Sequence, residues 1–250
     1  MLVVAHPDDE CMFFGPTVRV LQSCRRPIHV LCLSTGDAGP QRAGQRRTTE
    51  LKHSCSVLGV PWSRVRVVDD ARLQDGMQSV WEPEVVAEVV AEVVAEVVAR
   101  AIEDCSLGSE IKETIQCVQG GLTVITFDSY GVSNHANHRG VYQGVRHWQE
   151  EQKRRKGDLD PRCVEVFVLH SSTLLVKYMG VLSWLIEPLV WWLSSARGRW
   201  PRGHSIACRN PDVAWVWRAM ACHRSQLTWW RVLFVFFSQY STLNRLVRIE

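Results

Sequence analysis

The stretch Leu2-Val3-Val4-Ala5-His6-Pro7-Asp8-Asp9-Glu10 decides the reading of this chain. Its apolar run reads as a buried strand. The strand delivers an imidazole followed by a row of carboxylates, the chemical make-up of a divalent-metal site. Pro7 fixes its own φ, so Asp8 and Asp9 leave the strand in a set direction. Adjacent residues in an extended turn cannot easily point both carboxylates at one ion. One is therefore expected to bind metal, and its neighbour to stay free to accept a proton from water that the ion activates. A partner stretch lies far downstream, Ser133-Asn134-His135-Ala136-Asn137-His138, next to the turn-forming Gly131. It offers another imidazole ligand and a histidine set aside for substrate, to stabilise an oxyanion or protonate a leaving amine. Together these elements suggest metal-assisted hydrolysis.

Around this opening, strands alternate with helices. Residues 12–24 carry apolar side chains at helical spacing, and 29–33 (HVLCL) read as a strand ended by Ser34-Thr35-Gly36-Asp37. A helix over about 45–58 is stopped by Gly59 and Pro61. Strands are expected at 64–68 and at 122–127 (LTVITF), and 163–170 (CVEVFVLH) alternates like a further one. This order predicts an α/β fold with a mostly parallel sheet covered by helices on both faces. In such sheets functional groups gather at the carboxyl ends of strands. His6 to Asp9, Ser34 to Asp37 and Asp128 all fall there.

Residues 84–99 are four copies of Glu-Val-Val-Ala. Pro83 and early acidic residues suit a helix start, and apolar positions at i, i+1, i+4 and i+5 fit a helix better than a strand. A four-residue period drifts round a 3.6-residue helix, so no coiled-coil seam is expected. The tract reads as low-complexity sequence lengthening a surface helix. Residues 106–120 read as a polar insertion before the fourth strand, and 149–160 (QEEQKRRKGDLD) as a charged surface loop.

With 250 residues, 46% of them hydrophobic, the chain suits one good-sized core and a single domain spanning 1–250. A net charge of +3 and no basic stripe with interleaved aromatics leave a nucleic-acid partner without support. The nine cysteines are scattered and never form CxxC, which argues for buried thiols in a reducing compartment. No signal peptide precedes the first motif. The longest quiet apolar region, 178–193, is interrupted by Glu187-Pro188. At ~1.5 Å per residue it reaches about 24 Å, short of a ~30 Å hydrocarbon core. Eight of the eleven tryptophans nevertheless lie in the last seventy residues. Indole rings favour the membrane–water boundary, although a Trp-rich core or a substrate groove would look the same.

Four blocks carry a family resemblance: LVVAHPDDECMFF (2–14), RTTELKHSCSVLGV (47–60), TFDSYGVSNHANH (126–138) and MACHRSQL (220–227). Their content and order resemble the LmbE-like (PIG-L) deacetylase superfamily, most closely its eukaryotic branch of N-acetylglucosaminyl-phosphatidylinositol de-N-acetylases. The resemblance implies a Rossmann-like sheet binding a divalent ion, zinc above others, through His6, Asp9 and His138. Asp8 becomes the general base, and His135 the group that stabilises the oxyanion or protonates the leaving amine. Arg47, Asp128 and His223 are the implied substrate contacts. A helix-surface pair with Glu50 is the alternative for Arg47, and a structural role the alternative for His223. The implied reaction removes acetate from an N-acetylglucosamine unit carried on phosphatidylinositol, in glycosylphosphatidylinositol-anchor synthesis at the cytoplasmic face of the endoplasmic reticulum. The expected partner is that glycolipid at a membrane surface.

Rival readings are a deacetylase of soluble N-acetylglucosamine conjugates, or a truncated, non-catalytic product keeping the fold. The second is motivated by a chain that opens inside its first strand, where relatives in this branch carry a membrane helix. The segment 106–120 is also expected to disturb how His135 and His138 are presented. Protein partners are not indicated.

Overall fold

The computed structural model describes residues 1–38, 43–107, 121–154, 164–196 and 204–249. Strands β1 (Leu2–Val4), β2 (Val30–Cys32), β3 (Val65–Val67), β4 (Leu122–Phe127), β5 (Val164–Leu169), β6 (Ser205–Arg209) and β7 (Leu243–Ile249) form one sheet. Its order is β3-β2-β1-β4-β5-β7-β6. The first five strands pair in parallel. β7 runs antiparallel to β5, and β6 antiparallel to β7. The sheet is thus mostly parallel with an antiparallel edge. β1 and β2 are buried throughout, which is why they read as unbroken apolar runs rather than alternating ones.

The helices in chain order are α1 (Asp9–Met12), α2 (Gly15–Ser23), α3 (Ala43–Val57), α4 (Pro83–Leu107), α5 (Gly131–Asn134) and α6 (Ala136–Arg154). α7 (Leu174–Lys177), α8 (Ser183–Ala196), α9 (Val213–Met220) and α10 (Trp229–Phe237) follow. The order reverses at β1: the chain first moves outward to β2 and β3, then returns to β4 on the other side of β1. Right-handed crossovers then put the two sets of connecting helices on opposite faces. α3 packs against α9, and α4 against α6. The crevice at the carboxyl end of β1 and β4 is the switch point of the sheet, the usual ligand site in such folds.

Three sequence expectations need correction. The helix expected over 12–24 starts later, as α2, set off from α1 by Phe13-Phe14, with Pro16 in its first turn where its missing N–H costs nothing. The expected charged loop at 149–160 is helical up to Arg154. Gln, Glu, Lys and Arg are good helix formers, and Arg146 pairs with Glu150 at 3.1 Å one turn on. Its remainder, like the expected insertion from residue 108 onward, lies outside the described residues. The Glu-Val-Val-Ala tract is helical within α4, but not a mere surface extension. Val86, Val90 and Val94 are buried in the core, and a Cβ on Gly144 of α6 would fall 2.2 Å from the Val86 side chain. The two helices therefore meet closely enough that only a glycine fits between them.

The cysteines with described side chains, Cys11, Cys24, Cys32, Cys55, Cys208 and Cys222, are free. No helix among the described residues is long and apolar enough to cross a membrane.

Candidate metal centre and active site

β1 ends in a turn that separates neighbouring carboxylates. Asp8 sits at φ 126°, in the region L-residues rarely adopt, and its backbone N–H donates to the Glu10 carboxylate at 3.0 Å. Asp8 and Asp9 consequently have different partners. Asp9 Oδ2 accepts the backbone N–H groups of Ala5 and His6 at 3.0 and 2.8 Å. Its Oδ1 faces His138 Nε2 at 3.2 Å. Asp8 Oδ2 pairs with Arg231 Nη2 at 2.8 Å, with Arg47 Nη2 farther off at 3.7 Å.

The tautomers follow from the hydrogen bonds. His138 Nδ1 lies 3.0 Å from the Gly131 carbonyl. A carbonyl can only accept, so Nδ1 donates to it, and Nε2, which faces the Asp9 carboxylate, is the nitrogen left for a metal ion once it is deprotonated. His6 Nε2 lies 3.1 Å from Asp75 Oδ1 and 3.0 Å from Asn137 Oδ1, again acceptors, which leaves His6 Nδ1 facing Asp9 Oδ2 at 3.7 Å. His135 is the opposite case. Its Nδ1 accepts the Asn137 backbone N–H at 3.2 Å, so Nε2 carries the hydrogen.

Once deprotonated, the two imidazoles and the Asp9 carboxylate, each steered by an outer hydrogen bond, could hold zinc or a similar divalent ion. Ring nitrogens of His6, His135 and His138 gather within 4.8 Å of one another. His135 fits the ligand role poorly because the nitrogen left free by Asn137 bears a proton.

The electrostatics agree with a site built for a cation. Burial disfavours the charged form of His6, yet the hydrogen bond to Asp75 and the charges of Asp9 and Asp75 outweigh it and lift its pKa to about 9. Burial also opposes ionisation of Asp9, but His138 and His6 hold its pKa well below the carboxylate range. Asp8 moves upward, driven by burial and the Asp9 charge, against Arg231 and Arg47. His135 is lowered to about 4 by burial and by the neighbouring imidazoles His6 and His138, and is neutral near pH 7.

These groups line one end of a cavity of about 960 Å³. His6, Asp8, Asp9, Arg47, Asp75, His135 and His138 line it together with Tyr178, just after α7, and Trp230, Phe234 and Phe237 of α10. Two expected substrate contacts are not brought there. Asp128 is buried and accepts from Tyr130, Gly131 and Ser171. It ties the ends of β4 and β5 together and shapes the turn that presents His135 and His138. His223 is fully buried, with its Nε2 2.7 Å from Glu10 Oε1. Arg47 reaches the cavity but is not paired with Glu50. Its guanidinium donates to the Pro7 and Gly36 carbonyls and to Asp75, while Glu50 accepts from Ser225.

Asp75, Asn137 and Arg231 were missed by sequence reasoning. Asn137 stands within the quoted histidine block. Asp75 comes from an irregular loop and Arg231 from an aromatic helix, and neither carries a local signal.

A mostly parallel sheet of this topology is the fold of several solved deacetylases. The chain is similar in structure to N,N'-diacetylchitobiose deacetylase from Pyrococcus horikoshii, with a TM-score of 0.56 at 13% identity over 99% of this chain and 82% of that one. It is also similar to the zinc-inhibited form of teicoplanin deacetylase Orf2, with a TM-score of 0.53 at 14% identity over 100% and 98% of the two chains. At such identity these likenesses speak for the fold alone. The family model for PIG-L, GlcNAc-PI de-N-acetylase, matches residues 1–149. N-acetylglucosaminyl-phosphatidylinositol de-N-acetylase from Bos taurus is 35% identical over 248 residues, covering 98% of this chain and 81% of that protein. The chain belongs to the PIG-L family of GlcNAc-PI de-N-acetylases.

Proposed function

We propose that the chain hydrolyses the acetamide of N-acetylglucosaminyl-phosphatidylinositol, releasing acetate and glucosaminyl-phosphatidylinositol, as a step of glycosylphosphatidylinositol-anchor synthesis. The observation that carries this reading is the convergence of Asp9, His6 and His138 beside a separate carboxylate, Asp8, within one cavity. His6, Asp9 and His138 would hold a divalent ion, zinc in our reading. When bound, such an ion supplies Lewis acidity for the acetamide carbonyl and for attacking water.

The protein's own groups account for the proton movements. Asp8, ionised against Arg231, takes the proton of the attacking water and returns it to the departing glucosamine nitrogen. His135 donates its Nε2–H to the developing oxyanion. This role suits its neutral state better than the delivery of a full proton does. Asp75 keeps His6 in the tautomer that ligation requires, and Arg47 locks Asp75 to the Pro7 and Gly36 loops. Asp128 and His223 act by holding the two histidine-bearing turns and the α1 turn in place.

The membrane surface is the second element of the proposal. α7, α8 and α10 leave large apolar side chains exposed, among them Leu175 at 78%, Leu185 at 79% and Trp229 at 76%. Exposed apolar side chains on α7 and α10, helices that also carry the cavity-lining Lys177 and Trp230, suit a substrate whose acyl chains remain in the bilayer. In this reading the enzyme works on the cytoplasmic face of the endoplasmic reticulum.

The direct test is acetate release from the glycolipid by purified, zinc-loaded protein. Turnover supports the reading. Stoichiometric metal without acetate release would favour an inert module, and faster turnover of soluble N-acetylglucosamine conjugates would favour the other rival. Replacing Trp229 and Trp230 together by Ala should weaken co-sedimentation with liposomes about tenfold or more, since each indole buries a large apolar area at an interface. Unchanged binding would remove the membrane element.

A further inference from the structure

Four arginine and lysine side chains line the cavity: Arg46, Arg47, Arg231 and Lys177. Arg47 is committed to Asp75 and two carbonyls, and Arg231 to Asp8 and Gln226. Arg46 is solvent-exposed. Lys177 is different, being 8% exposed and without a carboxylate in ion-pair reach among the described residues. Its ammonium makes only a long contact, 3.4 Å, with the Val132 carbonyl. It lies 5.6 Å from the Phe234 ring centre and 5.9 Å from that of Tyr178. Burial holds its pKa below the usual lysine value, with nothing to offset the effect. Buried charges are normally paired, so an unpaired ammonium facing a cavity is an unfilled half of an ion pair.

Its position says which anion would fill it. Phe234 touches Phe13, which in turn touches His138, with ring centres 5.6 Å apart at each step. Two aromatic rings therefore separate the ammonium from the catalytic end. On the other side, Lys177 ends the short helix bearing exposed Leu174 and Leu175. Lys177 thus stands between aromatic residues that line the cavity and the exposed leucines of its own helix.

We propose that Lys177 binds the phosphodiester of the substrate and so sets the preference for an anionic, phosphoinositide-linked sugar over neutral N-acetylglucosamine compounds. This rests on the reaction proposed above. The amide to be cut sits at the catalytic end, the acyl chains lie toward the exposed leucines, and the anionic diester joins them. An ammonium–phosphate contact is a charge-assisted hydrogen bond, among the stronger ones available to a partly desolvated site.

The test compares three substrates with wild type, Lys177→Gln and Lys177→Arg. They are the intact glycolipid, its deacylated water-soluble phosphodiester, and N-acetylglucosaminyl-inositol without phosphate. Lys177→Gln can still donate to Val132, and thermal unfolding checks that it folds. The expected result is a drop of about tenfold or more in the preference, by kcat/KM, for each phosphodiester over the phosphate-free compound. The drop should lie in KM, and Lys177→Arg should largely restore the preference. Because the deacylated diester lacks acyl chains, a loss confined to the intact glycolipid would assign Lys177 to the lipid surface and overturn the proposal. An equal loss on all three substrates would make it a structural pin on Val132 and overturn it too. Failure of wild type on every substrate would instead count against the reaction itself.

Discussion

Asp8→Asn is expected to lower acetate release by roughly 10²–10⁴-fold, the range that a positioned proton-transfer group contributes. Asn matches Asp in size but cannot accept the proton of the attacking water. Metal content should stay close to that of wild type, because Asp9 rather than Asp8 faces His6 and His138. The variant removes the anionic partner of Arg231, whose contact with Asp8 is 2.8 Å, so its melting temperature must be followed in parallel. A folded, metal-loaded Asp8→Asn protein within tenfold of wild type would remove Asp8 from the chemistry.

The second large effect is expected at the proposed metal ligands. His138→Ala should abolish stoichiometric metal binding and reduce acetate release by more than 10²-fold. That lower bound comes from comparison within the same site. Asp75 reaches the site as an outer partner of the His6 ring, and loss of such a partner typically costs 10–100-fold in affinity or activity; a ligand lost outright should cost more. Elemental analysis of the purified variants, together with rates before and after chelation and re-addition of zinc, checks this. Recovery of wild type on zinc addition, but not of His138→Ala, is the expected pattern. Full activity in chelated wild type would contradict the site.

Much of the parallel half of the sheet was legible. Strands β1, β2, β4 and β5 are buried for most of their length, and burial on both faces leaves an apolar run that few loops imitate. β6 and β7 were not. In β7 the alternation is broken by Asn244 and Arg245. Asn244 is buried because it serves Thr17 and the Phe13 carbonyl, and Arg245 is paired with Glu187. Polar residues satisfied by distant partners erase the pattern that sequence reading relies on.

The site divides the same way. His6, Asp8, Asp9, His135 and His138 stand in two compact motifs whose chemistry is local, and the fold brings these residues together. Asp128 and His223 are also polar residues within those blocks, but their hydrogen bonds turn inward, and sequence alone does not tell a residue that braces a turn from one that meets substrate. Arg231 and Lys177 are invisible for the opposite reason. Each sits in an apolar helix where a lone cation carries no pattern, and only the fold reveals that both line the cavity.

The contact of Val86 with Gly144 has a consequence for the placing of the tandem tract. Each Glu-Val-Val-Ala copy adds about 6 Å of helix. Burial is complete near the first copies and fades beyond Val94, where Val97 and Val98 are only half-covered. The distal copies are therefore less deeply packed than those around Val86. The Val86–Gly144 contact, rather than the distal copies, thus fixes where α4 sits against α6.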